Sequence, residues 1–166
     1  MSYRNKVYVS FDADNDIMYY RLMEAWKQND NIPFNFLNAH DINRNYDKSE
    51  ESIKASLRER FDNSKIFVLL LGDHTKYLYK YVRWEIEQAI KRKLPIIIVN
   101  INGKRTFDSA LCPKLLDVVP TISISFNAKI LQYALDNWPE SFEKHLKNDE
   151  ISHYYYSSKI YDKLNL

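Results

Sequence analysis

Five short apolar runs, KVYVSF (6–11), PFNFL (33–37), KIFVLLL (65–71), PIIIVNI (95–101) and TISISF (121–126), alternate with stretches whose apolar residues recur at helical spacing. Regular alternation of strand and helix is the pattern of a parallel sheet covered on both faces, because parallel neighbours need a crossover that returns the chain to the same end. The third and fourth runs are nearly unbroken Val, Leu and Ile, as strands buried on both faces must be, so they are expected at the centre. The helical stripes are Met18, Leu22, Ala25 and Trp26; Ile53, Leu57 and Phe61; Val82, Ile86, Ala89 and Ile90; and Ile130, Leu131, Ala134, Leu135 and Trp138. Pro139 is expected to end or kink the last helix. Between the fourth and fifth strands the sequence shows only a short helical possibility.

A chain of 166 residues with 45% hydrophobic content can build one domain with a real core and is too short for two. Residues 1–140 are expected to form that domain, with 141–166 as a C-terminal extension packed on or next to it. The 24 basic and 22 acidic residues form no basic block, which argues against a nucleic-acid partner. A single cysteine, Cys112, rules out a disulfide framework and a cysteine-based zinc site. The start, MSYRNKVYVSF, reads as a charged lead into a strand, and no run of about 18 apolar residues is present, so a cytoplasmic protein without a membrane partner is expected. Only Gly72 and Gly103 are glycines. Walker and dinucleotide loops need clustered glycines to bring backbone against phosphate, so any nucleotide must be held by side chains.

Several polar segments are candidate sites. The connection NAHDINRNYDKSE (38–50) exceeds the usual strand-to-helix length of about 2–6 residues, and it follows a strand's carboxyl end, where open α/β sheets bind ligands. Asp47 is a plausible N-cap for the next helix, with Glu50 as capping-box partner. The acidic cluster SFDADND (10–16) follows the first strand. Asp14 or Asn15 could cap the first helix there, and Asp12 has no such simple role. Together with Asp73 and Lys129 these acids also suggest a phospho-accepting receiver, although Asp73 lies past a glycine and outside its apolar run. The histidines 40, 74, 145 and 153 share no metal-ligand spacing, and no metal site is expected. Ser10 lacks nucleophile-elbow glycines. The tail tyrosines Tyr154, Tyr155, Tyr156 and Tyr161 either pack back or form a partner surface.

In YLYKYVRWEIEQAI (77–90), Glu87 has Arg83 and Lys91 at the four-residue spacing where opposite charges meet on a helix. Glu85 has Tyr81 and Ala89 there. At 100° per residue it falls on the flank of the apolar stripe, half-buried and without a helical cation, with Trp84 beside it in sequence. A carboxylate so placed is a better candidate for chemistry than for helix stabilisation.

The aromatic SFD after strand one, the long polar loop after strand two and the glutamate of YVRWEIEQAI after strand three together resemble the TIR domain, over about residues 5–140. KVYVSFDADND with YVRWEIEQAI is similar to the bacterial TIR-like branch that includes the TIR subunit of the Thoeris antiphage defence system. The resemblance implies a flavodoxin-like α/β fold, a five-stranded parallel sheet flanked by helices; the helical, tyrosine-rich tail lies outside it. It also implies an NAD glycohydrolase or ADP-ribosyl cyclase, active when triggered or assembled, with Glu85 as the catalytic carboxylate. NAD enters as substrate and no resident cofactor is implied. Phe11, Asp12, Asn38, Asp41, Tyr81 and Trp84 become substrate-binding candidates, Tyr81 standing where family members often carry tryptophan. Arg44, in the loop corresponding to the family's BB loop, becomes an assembly residue. The implied partners are further copies of the chain, through TIR surfaces, and an effector protein reached through a diffusible nucleotide such as a cyclic ADP-ribose. A non-catalytic adaptor acting by homotypic association is the competing reading.

Overall fold

The computed structural model of the protein describes residues 7–28, 36–37 and 49–166. The five expected strands form as β1 (Val7–Ser10), β2 (Phe36–Leu37), β3 (Ile66–Leu71), β4 (Ile96–Asn100) and β5 (Thr121–Ser125). The helices are α1 (Ile17–Lys27), α2 (Glu50–Asp62), α3 (Val82–Lys91), α4 (Ala128–Lys147) and α5 (Ser158–Lys163), with 3-10 turns at Thr75–Tyr77 and Lys114–Val118. A sixth strand, β6 (His153–Tyr155), comes from the tail. It extends the expected five-stranded core to a sheet of order β2-β1-β3-β4-β5-β6, parallel throughout.

β3 and β4 are the central pair, in register from Phe67 against Ile96 to Leu71 against Asn100, and every residue in both is buried. The order of strands reverses at β1, which has β2 on one side and β3 on the other. Connections leaving β1 and β3 therefore diverge at their carboxyl ends and leave a crevice between them.

Three local expectations are corrected. On α1 the buried residues are Tyr20 and Met23, whereas Met18 and Leu22 are 71% and 48% exposed. Aromatic packing sets this phase: Tyr20 stacks on Phe11 at 4.6 Å, and Tyr19 and Trp26 both meet the ring of Phe126. The cap of α2 is Ser49, whose hydroxyl accepts from the Ser52 amide at 3.2 Å, so Glu50 opens the helix instead of closing a capping box; Asp47 lies outside the described residues. Finally, α4 runs through Pro139 to Lys147, so of the two outcomes expected there, an end or a kink, the helix does not end. Pro139 removes one backbone hydrogen bond, a penalty of about 3 kcal/mol, but Leu135, Trp138 and Phe142 around it are all buried on the same helix. Each such side chain contributes about 1.5–3 kcal/mol on burial, enough to hold the helix together.

The tail is tied into the domain. Thr121 of β5 pairs with His153 of β6, and Tyr161 on α5 is fully buried, its hydroxyl accepting from the Ser125 amide at 3.2 Å. Tyr154 and Tyr156 are half-buried, and Tyr155 is exposed. Position 140 thus falls inside α4, and the chain beyond it supplies both an edge strand and a core residue. Among the described residues, no helix is long and apolar enough to cross a membrane.

Candidate active site

β1 delivers two polar tips to one face. Side chains alternate along a strand, so Tyr8 and Ser10 point the same way, towards the helix that follows β3. That helix, α3, brings Glu85 to meet them. The Ser10 hydroxyl donates to Glu85 Oε1 at 3.3 Å. The Tyr8 ring is stacked on Phe61 of α2 at 3.8 Å, and its hydroxyl lies close enough to Glu85 to act on its ionisation, although it completes no hydrogen bond of standard geometry. This pair of donors was not anticipated; its signal in the sequence is the i, i+2 spacing of Tyr8 and Ser10 in an otherwise apolar strand.

Glu85 is buried, only 4% exposed, more deeply than its flank position suggested. Burial raises its pKa from 4.5 to about 7, and the Tyr8 and Ser10 hydroxyls pull in the opposite direction by stabilising the anion. No cation pairs with it among the described residues, whereas Glu87 pairs with Arg83 at 3.2 Å, as the spacing predicts.

Glu85 opens onto a crevice of about 750 Å³ between the loop after β1 and the segment 77–82 that leads into α3. Phe11, Asp12 and Tyr81 line it with Glu85. Tyr81 stands at the N-cap of α3, and its carbonyl accepts the Glu85 amide at 2.8 Å, so the two residues are fixed one turn apart. Asp12 is 1% exposed and folds the loop: its carboxylate accepts the amides of Asp14 and Asn15 at 3.0 and 3.3 Å and the Asn15 side chain at 2.6 Å. Side-chain capping of the loop's own backbone thus falls to Asp12 and not to Asp14 or Asn15. The helix itself begins after Asp16, which makes no side-chain cap bond.

Asp16 is closely packed against the end of β3. A Cβ on Gly72 would lie 2.2 Å from Asp16 Oδ2, so any larger residue there would force the carboxylate or the loop to move. Asp16 is 7% exposed, and its pKa is raised by burial first and by the neighbouring charges of Asp12 and Asp73, partly countered by His74. The loop after β1 and the loop after β3 are held in contact at this point.

Trp84 does not join the site. Lys54 and Arg58 of α2 each lie 5.6 Å from the centre of its ring, and Phe61 meets it edge-on, so it packs between α2 and α3. Sequence neighbours on a helix are about 100° apart, and Trp84 turns away from the crevice that Glu85 faces. Asn38, Asp41 and Arg44 lie outside the described residues. Lys129, which a receiver would need at its phosphorylation site, donates to the Leu164 carbonyl at 3.2 Å in the tail. Arg21 of α1 and Lys80 also line the crevice, and sequence reasoning had singled out neither.

A parallel sheet of this order, with a buried glutamate on the helix after β3 facing the crevice beside β1, defines a TIR-like domain. A family model described as the TIR-like domain of the Thoeris protein ThsB matches residues 8–106, well over half of the chain, and the chain belongs to that family. The match takes in β1 from Tyr8 onwards, β2 to β4, and every described candidate in the crevice. β5, α4 and the tail lie beyond it.

Proposed function

We propose that the protein is an NAD-consuming enzyme of antiphage defence that cleaves the nicotinamide glycosidic bond and releases a cyclised ADP-ribose as a signal to an effector protein. The observation that carries this reading is Glu85 itself: a buried carboxylate with no cation partner among the described residues, held by the Ser10 hydroxyl, at the end of a crevice large enough for a dinucleotide. Nicotinamide leaves as a neutral molecule from a cationic pyridinium, so the reaction needs no general acid, unlike ordinary glycoside hydrolysis with its two carboxylates. What needs help is the oxocarbenium-like ribose. A preplaced carboxylate in a dry site stabilises that developing charge, and such preorganised groups commonly contribute about 3–4 kcal/mol each. With its pKa near 7, Glu85 is partly neutral in the free protein, and a pyridinium beside it draws it into the charged form.

Phe11 and Tyr81 supply apolar surface beside the carboxylate. Exclusion of water there favours capture of the ribose cation by an adenine nitrogen or a ribose hydroxyl of the same molecule, whose effective concentration far exceeds that of an outside nucleophile. Turnover depends on assembly of several copies, with Asp41 and Arg44 of the 38–50 loop contributing to it. Incubation of the assembled protein with NAD, followed by mass spectrometry, tests the reading. A product one water lighter than ADP-ribose is expected. Linear ADP-ribose alone would remove the signalling step, and intact NAD would remove the enzyme.

A further inference from the structure

The charges lining the crevice are sorted by depth. The two buried carboxylates, Glu85 and Asp12, are 4% and 1% exposed, whereas the cations Arg21 and Lys80 stand in solvent at the rim, with Asp14 as the only exposed acid among the lining residues. The cations come from opposite walls, Arg21 from α1 and Lys80 from the segment that leads into α3. Neither is held by a close ion pair among the described residues. Arg21 has no ion pair among the described residues. Lys80 reaches Glu50 only at 3.6 Å, with both side chains largely in solvent, and Glu50 is already held by Lys54 at 2.9 Å. The Lys80 ammonium also lies over the Tyr81 ring, 5.2 Å from its centre, which keeps it at the crevice.

A ligand that fits this layout is positive where it goes deep and negative where it crosses the rim. We infer that Arg21 and Lys80 form an anion grip that takes the pyrophosphate of a dinucleotide while its cationic, glycosidic end reaches Glu85. This inference rests on the function proposed above and assigns the specificity of the same site. Guanidinium and ammonium groups lining one cleft bind a diphosphate through charge-assisted hydrogen bonds, the guanidinium in a two-pronged fashion. The grip makes the enzyme selective for pyrophosphate-bearing substrates over nicotinamide riboside, which has the same scissile bond and no phosphate. It places the two rim residues in substrate positioning, since neither reaches the reacting carbon.

The test compares the full-length wild type, Arg21→Gln, Lys80→Gln and the double variant in the assembled state, with Lys159→Gln on α5 as a charge-matched control. Binding of ADP-ribose is measured by calorimetry, and nicotinamide release from NAD and from nicotinamide riboside is followed in parallel. Each rim variant is expected to weaken ADP-ribose binding about fivefold or more, and the double variant further, with binding in the wild type falling as salt is raised. KM for NAD should rise with kcat nearly unchanged, the riboside should be unaffected, and Lys159→Gln should match the wild type. Unchanged ADP-ribose affinity and unchanged KM in the double variant would overturn the grip while leaving the proposed reaction standing. Wild-type protein that binds no ADP-ribose would overturn it as well. Tight, rim-dependent ADP-ribose binding without nicotinamide release would support the grip and refute the reaction.

Discussion

Glu85 is held in the folded protein against its own preference for water, and this has a consequence for stability. Its pKa is raised from 4.5 to about 7. Below pH 4.5 the group is neutral in the folded and unfolded chains alike, and burial carries no penalty. As pH rises from 4.5 to 7 the unfolded chain ionises first, so stability falls, and above 7 the loss levels off at about 3 kcal/mol, taking 1.36 kcal/mol per unit. Glu85→Gln removes the titration. The variant is expected to melt at a higher temperature than the wild type at pH 8, with the advantage shrinking towards pH 4.5; equal melting curves at pH 8 would show that Glu85 carries no burial penalty. Much of this residue was legible in the sequence, since the four-residue spacing that gives Glu87 its partner Arg83 also shows that Glu85 has none. The depth of its burial was not, because that depends on Tyr8 and Ser10, more than 70 positions away in the chain.

The elements are legible in the sequence where one physical constraint fixes them, and are not where distant packing decides. β3 and β4 declare themselves because, buried on both faces, they are apolar apart from Asn100 at the end of β4. The phase of α1 is set by Tyr19, Tyr20 and Trp26 packing on Phe11 and Phe126, and a stripe drawn through Met18 and Leu22 gives aliphatic residues too much weight. The connection between β3 and α3 depends on Gly72, whose missing Cβ makes room for Asp16 and so joins the two loops that wall the crevice. Gly72→Ala forces the Asp16 carboxylate or the loop to shift and is expected to destabilise the protein by about 1–3 kcal/mol, the usual penalty of overpacking. Thermal melting checks it. A wild-type melting temperature would mean that Asp16 turns aside freely and that the contact does not hold the loops.

For the whole molecule, the tail is the part that the sequence left open. Three of its four tyrosines pack inward to some degree, and β6 continues the sheet past β5, so the family match over residues 8–106 describes less than the folded unit. The clearest anchor is Tyr161, fully buried, with the Arg105 guanidinium 4.3 Å from its ring centre and its hydroxyl taking the Ser125 amide. Tyr161→Phe leaves that buried amide without its acceptor and is expected to lower stability by about 1–3 kcal/mol. Denaturant melts check the value, and a change of only a few tenths would place the amide in reach of water. The crevice, beside β1 and separated from β5 by two strands, should keep its ligand affinity in this variant.

The proposed activity depends most on one carboxylate doing what its neighbour two residues away cannot. Nicotinamide released from NAD by assemblies of the wild type, Glu85→Gln and Glu87→Gln tests this directly. Glu87 loses only an exposed ion pair with Arg83, worth a few tenths of a kcal/mol, so Glu87→Gln is expected to release nicotinamide within about twofold of the wild type. Glu85→Gln is expected to lose at least about a hundredfold, the scale of removing one preorganised electrostatic group. Wild-type release by Glu85→Gln, in an assembly shown to be active, would contradict the catalytic role of Glu85 and the function built on it.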